Sequence, residues 1–162
     1  MGVINQHHEP PLFYSVERPE LYRVIIPTSW QEGGAGFYGK LPAGFDYELY
    51  ALSSLNAAGF RGSSGVRRGR GHVGESPAQD FAGSARVQYK GVPGLRIGSS
   101  AFLGRTGQGT AGIGDALLTM IEGDAKYSLE GIDLEGTLAY AGLGDAANIN
   151  NRLAAQPPAV TV

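Results

Sequence analysis

The sequence predicts an all-β chain, an antiparallel meander of about six strands that forms part of a transmembrane β-barrel. Three observations predict it. The first is a period of two in the apolar residues, which marks strands with one apolar and one polar face. It is clearest in the stretch 119–140, TMIEGDAKYSLEGIDLEGTLAY, where Ile121, Gly123, Ala125, Tyr127 and Leu129 share a face. The second is the order of the connections, which run short turn, long loop, short turn, long loop, short turn. Barrels that span membranes have this asymmetry, whereas a soluble sandwich shows evenly spaced turn signals. The third is composition: only 17% of residues are charged and 26 of 162 are glycine. A soluble domain carries nearer a quarter charged residues. Small residues on an apolar face also pack poorly in a protein core, while lipid tails adapt to them.

Residues 1–32 lack period-two order and hold Pro10, Pro11, Pro19 and Pro27, which break sheet ladders. They are expected to form a structured loop segment. Ser15 followed by Glu17 and Glu20 suits the start of a short helix, and a short strand fits near residues 24–26. His7, His8 and Glu9 are neighbours on an irregular segment with no further ligand nearby, so no metal site is expected.

Residues 33–142 are the expected hairpin array. Ala35, Phe37, Gly39 and Leu41 share a face that Phe45, Tyr47, Leu49 and Ala51 continue. Unchanged parity demands an odd loop, and Pro42-Ala43-Gly44 supplies three residues with glycine at the left-handed position. The next hairpin places Phe81, Gly83, Ala85, Val87 and Tyr89 opposite Leu95, Ile97, Ser99, Ala101 and Leu103, around an odd loop 90–94. Phe102 departs from the pattern by falling on the polar face. In the last hairpin the parity flips after Glu130-Gly131, giving Ile132, Leu134, Gly136, Leu138 and Tyr140. An even, two-residue turn is what that flip requires, and Leu129 then faces Ile132. Each arm is about ten residues, the length of a tilted membrane-spanning strand. Residues 143–162 are expected to be an irregular tail, with Pro157 and Pro158 ending any strand.

Candidate functional residues fall into two groups. The long connection 56–79 holds Arg61, Arg67, Arg68 and Arg70 against Glu75, a basic segment suited to a pore mouth. On the polar strand faces, Arg86, Glu122, Asp124 and Lys126 are candidates to line a lumen. If the loop lies at the mouth its field enriches anions; if it is merely solvated, the strand carboxylates favour cations.

Several classes are excluded. With no cysteine there is neither a disulfide framework nor a thiolate metal site. A net charge of −2 gives no global basic field for nucleic acid. The glycine-rich GRTGQGTAGIGD lacks the Lys-Ser/Thr ending of a phosphate loop. No nucleophile constellation is present, so no enzyme and no cofactor are expected. No apolar run is long enough for a helical membrane span, and the N-terminal residues show no export signal.

The stretches GVINQHHEPPLFYSVERPEL, IIPTSWQEGGAGFYGKL and LNAAGFRGSSGVRRGR, with the turn Gly91-Val92-Pro93-Gly94-Leu95, resemble bacterial outer-membrane porins of the phosphate-selective porin O/P type. The resemblance covers most of residues 2–70 and implies a trimeric barrel of roughly sixteen to eighteen strands. It further implies an outer-membrane location, lipid as surroundings, and passive passage of small solutes or ions. It implies strands beyond these six, and it assigns no arginine of this chain to an anion path. The alternative is a soluble all-β protein that binds a ligand or partner through its loops. The two differ in where Phe37, Leu49, Val87, Ile97, Ile121 and Leu134 point.

Overall fold

A computed structural model of the chain describes residues 30–62, 64–71 and 78–155. The His7-His8-Glu9 run, the expected helix after Ser15 and the expected strand near 24–26 lie outside these residues.

The period-two segments form six strands: β1 (Gly34–Leu41), β2 (Phe45–Ser53), β3 (Phe81–Tyr89), β4 (Leu95–Arg105), β5 (Leu117–Leu129) and β6 (Ile132–Leu143). They make one antiparallel sheet in the order β1-β2-β3-β4-β5-β6, a meander that is not closed into a barrel. Turn chemistry sets each register. Glu130 and Gly131 have φ of 55° and 83°, so both residues are left-handed, as a two-residue turn matching the strand twist requires. Leu129 pairs with Ile132 across it. In the first hairpin Leu41 pairs with Phe45, and Gly44 takes φ 85° with Ala43 beside it at 63°.

The registers stack the two faces coherently across all six strands. One face carries the row Phe37, Leu49, Ala85, Ala101, Ile121, Tyr140. Seventeen large hydrophobics are exposed among the described residues, and all but Tyr38 and Val92 lie on this face. Nothing described covers it: Phe37 is 77% exposed and Leu138 82%.

The opposite face changes character along the strands. At the end bearing the long connections it is apolar, and Ala82, Phe102, Leu118 and Met120 are buried there. The connections fold over this end and bring Leu55, Ala57, Phe60, Val66, Ile113 and Ala116 onto it, completing the core. Gln108 stitches the two connections together. Its backbone N–H donates to Asp80 Oδ2 at 2.6 Å, its Oε1 accepts from Gln79 and Asp80 N–H groups, and its Nε2 donates to the Ser54 carbonyl at 2.9 Å. The glycine-rich stretch around Gln108 is thus a structural clasp.

The tail departs from expectation. Residues 143–162 are not irregular throughout, since Ala146–Ala155 forms a helix, α1. Ile149 and Leu153, four apart and therefore on one helix face, pack on the core, and the Asp145 carboxylate accepts the Ala116 N–H at 3.1 Å. Only two apolar residues mark that face, too few to reveal a helical period in the sequence.

Candidate functional site

Toward the short-turn end, the inner face is a ladder of charge. One cross-sheet row runs Glu48, Arg86, Ser100, Glu122, Ala139, and the next runs Asp46, Gln88, Gly98, Asp124, Thr137. Arg86 on β3 reaches over β4 to β5, where its Nη2 donates to Asp124 Oδ2 at 2.8 Å and Oδ1 at 3.1 Å. Its Nη1 lies 3.8 Å from Glu122 Oε2, which also accepts a 2.5 Å hydrogen bond from Ser100 Oγ. All three charged residues are buried: Arg86 is 8% exposed, Glu122 1% and Asp124 5%. Burying charge at this depth is tolerable only because each group is paired and hydrogen-bonded.

The bridge spans two inter-strand gaps, about 9–10 Å, so the intervening residue must not obstruct it. That residue is Gly98. A Cβ there would overlap Asp124 Oδ2 and Arg86 Nη2. Gly98→Ala is therefore expected to displace the pair and lower stability by about 1–3 kcal/mol, measured as a lower denaturant midpoint in detergent. A wild-type midpoint would show that the bridge tolerates a methyl beneath it.

Lys126 belongs to a separate pairing, 3.5 Å from Glu135 and 3.7 Å from Asp133 on β6. Lys90 holds Asp46 at 2.8 Å. Five of the six strand carboxylates expected to favour cations thus have a basic partner beside them, three cations serving the five.

The arginines of the long connection divide. Arg61 is spent locally, its Nη1 donating to the carbonyls of Ala58 (2.9 Å) and Phe60 (2.7 Å). Arg67, Arg68 and Arg70 line a cavity of about 600 Å³ together with Trp30, Gln31, Ser64 and Gly71, although Arg70 is also held locally, its Nε donating to the Arg67 carbonyl at 2.7 Å. The described part of this connection is anchored by the buried Leu55, Ala57, Phe60 and Val66, so the backbone that carries its arginines is fixed to the sheet. Trp30 links the cavity to the inner face: its ring lies 4.9 Å from that of Phe102 between centroids, tilted by 56°. Glu32 braces the same corner, with Oε1 accepting from Trp30 Nε1 and Gly71 N–H and Oε2 from Ser53 Oγ at 2.8 Å. Burial, then the neighbouring charge of Arg67, lowers the Arg70 pKa, consistent with guanidinium groups gathered at one place.

Of the residues singled out from the sequence, the structure joins Arg86, Glu122 and Asp124, and separately Arg67, Arg68 and Arg70; Lys126 and Arg61 stand apart from both groups. Sequence reasoning did not single out Gly98, Ser100, Gln108, Glu32 or Trp30. The sole tryptophan in the chain was the available signal for the last of these. Among the described residues, no three His, Asp or Glu are grouped to hold a metal ion.

The chain is 31% identical over 155 residues to an uncharacterized protein of Aquifex aeolicus (strain VF5). The match takes in 94% of this chain but 35% of that protein, so the chain spans about a third of its relative's length. No protein-family model matches the chain. No solved structure matches it either.

Proposed function

We propose that this chain is a segment of an outer-membrane β-barrel of the porin kind, through which small solutes pass passively, with its arginines biasing passage toward anions. The observation that carries the reading is the outward belt. Fifteen large hydrophobics exposed on one face of a six-stranded sheet, opposite a charged face, suit a wall between lipid and water. A soluble protein avoids so large an uncovered apolar surface, because water charges about 25 cal/mol for each Å² of it.

Two further points support the reading. The sheet is open, with β1 and β6 at its edges, and unpaired edges are costly in lipid. Further strands would resolve this. The Aquifex relative has about 440 residues, since 155 of them are 35% of it. At six strands per 155 residues, a protein of that length has room for about 17. The anion bias rests on placement: Arg86, Lys126 and Lys90 offset part of the strand carboxylates, while Arg67 and Arg68 line one anchored cavity.

The cysteine-free chain allows a direct test by single cysteine labels in liposomes. Fluorophores at Val87, Ile121 and Leu134 are expected to be quenched by brominated lipid, and those at Ser84 and Glu135 by aqueous iodide. Outward labels shielded from both quenchers would mean a second protein layer, and outward labels quenched by iodide alone would mean a soluble face. Either result defeats the membrane reading.

A further inference from the structure

The cavity beside the long connection combines two kinds of surface. Arg67 and Arg68 supply planar, permanently charged donor groups, whose geometry matches a carboxylate, while Arg70 braces the same wall through its bond to the Arg67 carbonyl. The Ser64 hydroxyl in the same lining is buried and makes no hydrogen bond among the described residues, which leaves a neutral donor beside them. Trp30 supplies the apolar part. Phe102 occupies one side of its ring and the indole N–H is committed to Glu32, so what remains for the cavity is aromatic surface. The carboxylate of Glu32 is turned to Trp30, Gly71 and Ser53. A volume of about 600 Å³ is that of a small-molecule site.

We infer that this cavity binds a small organic carboxylate, its carboxylate held by the Arg67 and Arg68 guanidinium groups and its planar carbon body laid against Trp30. Both halves of the ligand are needed. A bare inorganic anion engages the arginines but leaves the indole wall unused, and a neutral aromatic engages the wall but not the arginines. The inference names a solute class for the passage reading and rests on that reading for its role. Its chemistry rests on the cavity alone.

Trp30 is the only tryptophan, so its emission reports the site directly. The full chain in detergent micelles is titrated with benzoate, benzamide, acetate and inorganic phosphate, with β-sheet circular dichroism matched between variants. Benzoate is expected to change Trp30 emission saturably. Benzamide, which keeps the ring and loses the charge, is expected to bind at least about tenfold more weakly. Acetate and phosphate, which keep the charge and lose the ring, are expected to fall behind by a similar factor. The double variant Arg67→Gln, Arg68→Gln is expected to lose about tenfold or more in benzoate affinity. Should it fail to match in circular dichroism, Arg68→Gln alone, at an exposed position, is expected to lose about threefold. Benzamide binding as tightly as benzoate, or benzoate affinity unmoved by the arginine changes, would overturn the inference. Acetate or phosphate equalling benzoate would overturn the role of Trp30. No passage across a membrane is read, so failure here is distinguishable from failure of the lipid-quenching test.

Discussion

Arg86→Met is expected to destabilise the folded sheet by about 3–5 kcal/mol, seen as a large fall in the denaturant midpoint in micelles. The size follows from burial. An exposed pair is worth about 0–1 kcal/mol, but the Arg86 and Asp124 side chains are 9% and 2% exposed and that of Glu122 is 0%. Removing the guanidinium takes from Asp124 its bidentate partner and from Glu122, two residues away on the same face of β5, a nearby cation. Ser100 still donates to Glu122, but a hydroxyl does not offset a buried charge. Arg86→Lys should fall between, because an ammonium keeps the charge on a shorter arm and cannot reach both β5 carboxylates as the guanidinium does. A compensated variant separates electrostatics from packing. Adding Glu122→Gln and Asp124→Asn to Arg86→Met removes the stranded charges and is expected to recover more than half of the loss. If the compensated variant is no better than Arg86→Met alone, the aliphatic stem of Arg86 and not its charge holds the three strands together.

The local half of this architecture was legible and the long-range half was not. Strand alternation and loop parity are written in neighbouring residues, so the two-residue turn at Glu130-Gly131 and the three-residue turn at Pro42-Ala43-Gly44 could be read directly. The coherent outward face followed, because every register preserves parity from one strand to the next. Arg86, Glu122 and Asp124 were recognisable as polar-face residues. Their union was not, since it depends on the registers of β3 on β4 and β4 on β5, fixed across a five-residue loop and an eleven-residue one. Gly98 matters only once those registers are known. The connections between β2 and β3 and between β4 and β5 carry no period, because what folds them onto the inner face, buried residues such as Leu55, Phe60 and Ile113 and the bonds of Gln108, is scattered along the chain. Phe102 was the visible clue. It breaks the alternation because the inner face at that end is a packed core, not a wet wall.

Phe102→Ala is expected to cost about 3–5 kcal/mol and to loosen the arginine-bearing connection from the sheet. The ring is 2% exposed, sits between the paired positions Ser84 and Met120, and carries Trp30 at 4.9 Å. Alanine leaves a cavity that Met120 and Leu118 are poorly placed to fill, because both are already fully buried in the same core. Trp30 then loses its aromatic partner, and the wall of the arginine cavity with it. Leu103 is the matched control. It is the next residue on β4, points to the opposite face and is 54% exposed, so truncating it removes exposed apolar area and leaves the buried core intact. Leu103→Ala also lowers the midpoint to the extent that apolar area leaves the micelle, so stability alone does not separate the two. Iodide quenching of Trp30 does: it should rise severalfold in Phe102→Ala and stay at the wild-type value in Leu103→Ala. Equal quenching in both variants would mean that Phe102 does not hold the connection, and that the inner face at this end is lined with side chains but not packed by them.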